Sequence, residues 1–294
     1  VNRTISFSQT DPYFTIDGVS RSFEVYNRRT DPSELNLGDY IIETTGAGLR
    51  FGYPISEFER ISFGAGYEGT DLEVGPFSPD RFQRYVNDFG NSSYAVLLNA
   101  GYSFDSRDSA IAPTRGRVTR LTAEYATPLG DQEFIRTTYQ EQFYFPIGKL
   151  YTLALNGEVT GGFGLGDSPY PIFRNVYAGG IGTVRGYRSS TLGPRDADNV
   201  PIGGSKRVIA NAEFFFPIPG MSKDRTFRAF TFLDAGNVFQ TNEKIKFGEL
   251  RYSTGVGISW LSPVGPLKFS LGVPLNREPQ DETQRVQFTI GTGF

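Results

Sequence analysis

The chain of 294 residues contains no cysteine and no histidine. Thiol nucleophiles, disulfides and zinc thiolate sites are therefore outside its chemistry. The Ser-His-Asp triad and imidazole metal ligands or bases are excluded with them. An enzyme would have to work with carboxylates, Lys or Tyr alone, and we expect none, with no cofactor and no metal. The most motif-like stretch is GGIGTVRGYRSSTLGPRD, residues 179–196, with glycines at 179, 180, 182 and 186 and with Arg185 and Arg188 near its middle. Three chemistries compete for it. Gly180, Gly182 and Gly186 superficially resemble a phosphate cradle, which needs a strand before it and a helix N-terminus after it. Tyr187-Arg188-Ser189-Ser190 followed by Gly193-Pro194 makes no helix, which argues against the cradle. The stretch is otherwise either a solvated surface loop or a loop tucked into a cavity, where Arg185 needs carboxylate partners.

The surrounding elements decide what cavity exists. About thirteen segments alternate with period 2, starting near 3, 18, 40, 58, 93, 117, 131, 150, 206, 225, 247, 264 and 283. Leu267, Phe269, Leu271, Val273 and Leu275 share one face, against Lys268, Ser270, Gly272 and Pro274. Val286, Phe288, Ile290, Thr292 and Phe294 oppose Arg285, Gln287, Thr289, Gly291 and Gly293. Many segments reach ten residues, the ~9–11 that a tilted strand needs to cross a bilayer. Aromatics gather at segment ends, as in Tyr13-Phe14, Phe143-Tyr144-Phe145 and Phe214-Phe215-Phe216, in the manner of an interfacial girdle. A soluble β-sandwich also alternates, but its strands are shorter and its outer faces more charged. The Gly, Ser, Thr and Asn of the second face here suit a wet lumen, so the reading is an all-β transmembrane antiparallel barrel. Net charge is −3, from 29 basic and 32 acidic residues, which gives no basic field for nucleic acid.

The connections alternate too. Tight turns are expected at 52–55, 146–149, 217–220 and 261–265, and longer polar loops at 28–39, 72–92, 162–205, 239–246 and 276–283. Short turns on one side and long loops on the other are the layout of an outer-membrane barrel. The stretch 162–205 is too long for a structureless loop and too rich in Ile, Val, Phe and Tyr for a disordered one, so it must pack on something. In a barrel that something is the lumen. Alternation then names the partners of Arg185. With Val208, Ala210, Ala212, Phe214 and Phe216 toward lipid, Glu213 turns inward. With Phe227, Ala229, Leu233 and Ala235 outward, Asp234 turns inward, although Phe230 and Phe232 then do so as well. An odd count of thirteen strands leaves an edge unpaired, and a sequence that opens on a strand fits a start partway round a barrel.

Val184-Arg185-Gly186-Tyr187 resembles the VRG(F/Y) signature of the outer-membrane insertase and two-partner-secretion superfamily, and the wider stretch resembles its β-barrel assembly branch. The turn from Asp11 to Gly18, the run Ala212-Glu213-Phe214-Phe215-Phe216-Pro217, the run from Phe232 to Val238 and the run from Trp260 to Leu267 also fit. Phe288, Ile290, Gly291, Gly293 and Phe294 match the terminal signal strand. The resemblance covers essentially the whole chain, residues 1–294, as one C-terminal barrel domain with 162–205 as the extracellular loop that carries VRGY.

That resemblance implies a sixteen-stranded barrel whose loop enters the lumen and whose Arg185 pairs with Glu213 and Asp234. It implies that three strands and the periplasmic POTRA domains lie outside this sequence. The implied function is insertion of outer-membrane proteins through a weak seam between first and last strands, with Gly291 and Gly293 weakening the last. The implied partners are unfolded barrel clients, outer-membrane lipid, and assembly lipoproteins bound mainly through the POTRA domains. In this expectation the Arg185 cluster stiffens the wall far from the seam. The alternative is a TamA-like or two-partner-secretion translocator; a passive porin is a weaker rival.

Overall fold

The computed structural model describes residues 2–31, 39–218, 226–263 and 265–291. Thirteen of its strands form one antiparallel sheet in strict sequence order. They are β1 Asn2–Asp11, β2 Ser20–Thr30, β3 Tyr40–Pro54, β4 Glu59–Val74, β5 Ser92–Asp105, β6 Gly116–Ala126 and β7 Phe134–Ile147. The series continues with β8 Tyr151–Gly164, β9 Lys206–Pro217, β10 Phe227–Phe239, β11 Arg251–Ser262, β12 Gly265–Pro274 and β13 Val286–Ile290. The expected segments and these strands correspond one to one. The largest shift is at β11, where Phe247–Glu249 form a one-turn 3-10 helix before the strand, and smaller, equal shifts occur at β7 and β13, which begin at Phe134 and Val286.

The faces are inverted relative to a soluble protein. On β12, Leu271 and Val273 are 43% and 50% exposed, whereas Lys268 and Ser270 are 9% and 0% exposed. Apolar side chains stand outside and polar ones inside, as a lipid-embedded wall around a lumen requires. The sheet also curls. The loop between β8 and β9 touches Glu68 on β4 and Gln287 on β13, strands that would lie about 43 Å apart in a flat sheet at ~4.8 Å per step. Among the described strands β1 pairs only with β2, and β13 only with β12.

Three expectations need correction. The aromatic runs at strand ends do not all face lipid: Tyr144 and Phe215 turn inward and pack with Ala154, Phe230 and Phe232 in the lumen. Period 2 makes this unavoidable in three consecutive aromatics. The stretch 72–92, read as polar loop, contains the end of β4 and a helix, α1 Asp80–Phe89. Phe82, Tyr85, Val86 and Phe89 fall on one side of α1 at helical spacing. Phe82 stacks on Tyr40 with ring centroids 4.0 Å apart and joins Leu72 and Ile172 in a plug at the loop end. The turn side is less uniform than expected, since residues 106–115 form a long connection there.

The lipid-facing belt has one polar interruption worth naming. Glu141 lies on the outward face of β7 between Tyr139 and Phe143, opposite Thr119 on β6 and Gly157 on β8. Its carboxylate accepts a hydrogen bond from the Tyr139 hydroxyl at 2.9 Å, and its Oε1 has no partner among the described residues.

Candidate lumenal clamp

Residues 165–205 fold back into the lumen. Isolated bridges pair Val176 with Gly204, Ala178 with Leu192 and Arg195 with Pro201, giving the loop an internal frame without long strands. Val184, Ala178, Tyr187 and Leu192 pack on Ile209 of β9 and Val238 of β10, so apolar contact seats the loop against the last third of the wall. This explains the hydrophobic content of a segment that shows no periodicity.

Arg185 is 1% exposed and its two carboxylate partners are fully buried. Its fork takes Asp234 side-on, Nε to Oδ2 at 2.7 Å and Nη2 to Oδ1 at 2.6 Å. Its backbone N–H donates to the same Oδ2 at 3.0 Å. Nη1 pairs with Oε1 of Glu213. Such bidentate geometry uses the planar guanidinium, which an ammonium does not reproduce. Burial disfavours the charge, but the Glu213 and Asp234 carboxylates more than offset it and hold the Arg185 pKa above its ordinary value. The group therefore remains a cation.

Three parts of this site were not assigned from sequence. Lys268 on β12, read as inward but given no role, donates to both carboxylate oxygens of Glu213 at 2.8 and 3.0 Å. The cluster therefore holds two cations against two anions, a balance that a low-dielectric site needs. Asn211, paired with Asp234 across β9 and β10, donates to Asp234 at 2.9 Å and to the Thr183 carbonyl at 2.6 Å. Phe230 and Phe232, whose inward orientation was the awkward part of the face assignment, form the floor beneath the guanidinium. Arg185 lies 3.7 Å from the Phe232 ring centroid, a cation–π contact. Composition gave one signal for these residues: inward aromatics in a polar-lined strand need a buried neighbour.

Gly186 adopts a left-handed conformation, φ +85°, and sits against Gly272 of β12. A Cβ at position 272 would lie 2.7 Å from the Gly186 nitrogen, so the loop backbone reaches the wall only because both residues are glycine. The two-residue strand Gly186–Tyr187 pairs with Thr283–Gln284, just before β13. Phe288 and Ile290 face outward on β13, and Gly291 ends it with φ +114°. Gly293 and Phe294 lie outside the described residues.

The cluster occupies β9, β10 and β12, and its loop touches β13. This corrects the expectation of a brace on the wall far from the terminal strand: the apolar seat on Ile209 and Val238 brings it to the near side. The other limb of the loop reaches the opposite wall. Arg174 pairs with Glu68 on β4, lies 3.7 Å from Glu124 on β6, and sits 5.6 Å from the Phe134 ring centroid on β7. Tyr26 on β2 donates to the same Glu68 at 2.5 Å. The loop thus bridges the lumen between two charged anchor points.

This architecture has known counterparts. The model of the Omp85 superfamily domain matches residues 1–294. The outer membrane protein assembly factor BamA of Neisseria meningitidis is 36% identical over 334 aligned residues, covering 100% of this chain and 42% of that protein. The chain thus spans less than half the length of that relative. The crystal structure of BamA from Haemophilus ducreyi lacking POTRA domains 1–3 superposes with a TM-score of 0.92 at 25% identity, covering 100% of this chain and 62% of that one. CdiB from Acinetobacter baumannii shares the fold less closely, with a TM-score of 0.60 at 13% identity over 98% of this chain and 49% of that one. The chain is an integral β-barrel of the bacterial outer membrane, and it belongs to the Omp85 superfamily.

Proposed function

We propose that this chain is the membrane barrel of an outer-membrane protein assembly factor, which folds and inserts β-barrel clients without covalent chemistry or a cofactor. The observation that carries the reading is the loop clamp: a buried arginine in a VRGY segment, neutralised by two wall acids, within a barrel more similar in shape to BamA of Haemophilus ducreyi than to CdiB of Acinetobacter baumannii. The terminal strand supplies the working edge. Among the described residues β13 pairs with β12 over five residue pairs, 267–271 with 286–290, whereas β3 and β4 pair over fifteen. A weakly held edge strand is a template for β-augmentation, in which an incoming strand completes its hydrogen bonds. The lumenal clamp keeps β9 to β12 rigid while that edge exchanges partners. Clients would be unfolded outer-membrane barrels. Accessory lipoproteins would bind chiefly through domains outside this chain, and surrounding lipid would take the product.

The experiment is replacement of the chromosomal copy by Arg185→Ala or Arg185→Glu in the full-length protein. The reading predicts depleted outer-membrane proteins and impaired growth at normal levels of the variant. Normal growth with normal outer-membrane protein levels contradicts it.

A further inference from the structure

We infer that Gln287 is a positioning residue that latches the terminal strand to the lumenal loop, so that release of the working edge is governed from inside the barrel. The inference rests on the assembly reading above and adds to it the group that holds the edge. On the inner face of β13, Gln287 is buried. Its side-chain amide donates to the Tyr187 carbonyl at 2.7 Å, and its Oε1 accepts from the Gly186 N–H at 3.4 Å. One side chain thus makes the two backbone contacts that a neighbouring strand would make.

The latch continues upstream. Thr283 and Gln284 pair with Tyr187 and Gly186, and the Arg188 N–H donates to the Glu282 carbonyl at 2.9 Å. The Glu282 carboxylate takes Arg188 at 2.8 Å and Arg195 at 3.3 Å. Glu282, Thr283, Gln284 and Gln287 are therefore attached to the loop, while Arg285 and Val286 between them bond and pair with Gly272 and Leu271 of β12. Because Gly186 and Tyr187 follow Arg185 directly, the contacts run unbroken from the buried ion cluster through the loop backbone to the edge strand. Gly272 permits it, since any larger residue there pushes Gly186 off the wall. Moving β13 away from β12 requires either breaking the Gln287 bonds or taking the loop with it, and the ion cluster resists the second.

The test uses the full-length protein with all its domains in lipid nanodiscs, with amide hydrogen exchange read segment by segment. Gln287→Leu keeps the bulk and removes both hydrogen bonds; Gln287→Glu keeps the acceptor toward Gly186 and replaces the donor toward Tyr187 with an oxygen. Exchange over 286–290 is expected to rise about tenfold or more in both variants, the effect of losing a buried hydrogen-bonded group, while 206–217 stays unchanged. A merely structural role would speed exchange across β9 to β13 together. Unchanged exchange over 286–290 in both variants overturns the latch, as does a rise spread evenly over these strands. Client insertion into phospholipid vesicles separates the two proposals. If Arg185→Ala stops insertion and exchange over 286–290 is insensitive to Gln287, the latch fails and the assembly reading stands. If exchange responds to Gln287 but neither variant at 287 nor Arg185→Ala alters insertion, the latch stands and the assembly reading fails.

Discussion

Replacing Arg185 by Ala should cost about 3–5 kcal/mol, the range for breaking a buried ion pair by removing one partner. The structure says where that cost falls. Glu213 keeps Lys268 on both its oxygens, so it remains compensated. Asp234 loses the two side-chain donors of Arg185 and retains Asn211 and, if the loop stays seated, one backbone N–H. The uncompensated charge is therefore a single carboxylate in a fully buried position. Replacing Asp234 by Asn at the same time removes that charge and leaves Glu213 with Lys268 as a neutral pair. The double variant should then be less destabilised than the sum of the two single ones, by about 2–3 kcal/mol. Arg185→Lys should recover less than half of the loss, because an ammonium cannot engage Asp234 side-on while reaching Glu213. The assay is a double-mutant cycle on guanidinium-induced unfolding in lipid vesicles, followed by loss of the β-sheet circular dichroism. Additivity within about 0.5 kcal/mol, the behaviour of independent sites, would refute the claim that these residues act as one desolvated unit.

Three further outcomes follow from other parts of the wall. Arg174→Ala should free the early limb of the loop from β4, raising protease cleavage within residues 165–176 at least several-fold while cleavage near Arg185 stays low; equal protection at both limbs would show that the second anchor holds nothing. Glu141→Leu should stabilise the barrel by about 1–2 kcal/mol, since an acid on the lipid-facing side is unfavourable, with a higher unfolding midpoint as the readout and a lower one as the refutation. In the turn after β5, burial raises the Asp108 pKa, but hydrogen bonds from the Thr114 hydroxyl and N–H and from the Arg115 N–H outweigh it and hold the carboxyl below its ordinary 3.8. A depressed acid contributes stability that is complete above its unfolded value and is lost as pH falls through the folded one. Exchange at the Thr114 amide should therefore be insensitive to pH above about 5, after correction for intrinsic rates, and rise only below about 4; loss of protection near neutrality would contradict this.

How much of this was legible in the chain depends on what set each feature. Strand number, order and inward face follow from period 2, because lipid outside and water inside impose opposite demands on successive residues. Arg185, Glu213 and Asp234 were readable for the same reason: an acid in the middle of a wall strand has to face inward and find a cation. Lys268 was placed on the correct face but not in the cluster, because alternation gives the face of a residue and not its height, which depends on the strand register around the barrel. Helix α1 was missed although Phe82, Tyr85, Val86 and Phe89 carry its spacing, because its polar residues outnumber the apolar ones and its core lies on Tyr40 and Ile172, remote in sequence. The aromatic runs misled in the other direction. Adjacent Phe and Tyr read as a girdle, yet the middle member of each triplet supplies the lumenal core beneath the clamp. Gln287 carried no signal at all, since a polar residue on an inward face is the ordinary case in such a wall.

The Arg185 amide itself offers the most direct test of the clamp. Its N–H donates to Asp234 in a site without solvent access. Native-state hydrogen exchange in the full-length protein should find residues 183–187 as slow as strands β9 and β10. Exchange there as fast as in the exposed tip at Asp198 and Asn199 would mean that the loop is not held in the lumen, and the account would fall with it.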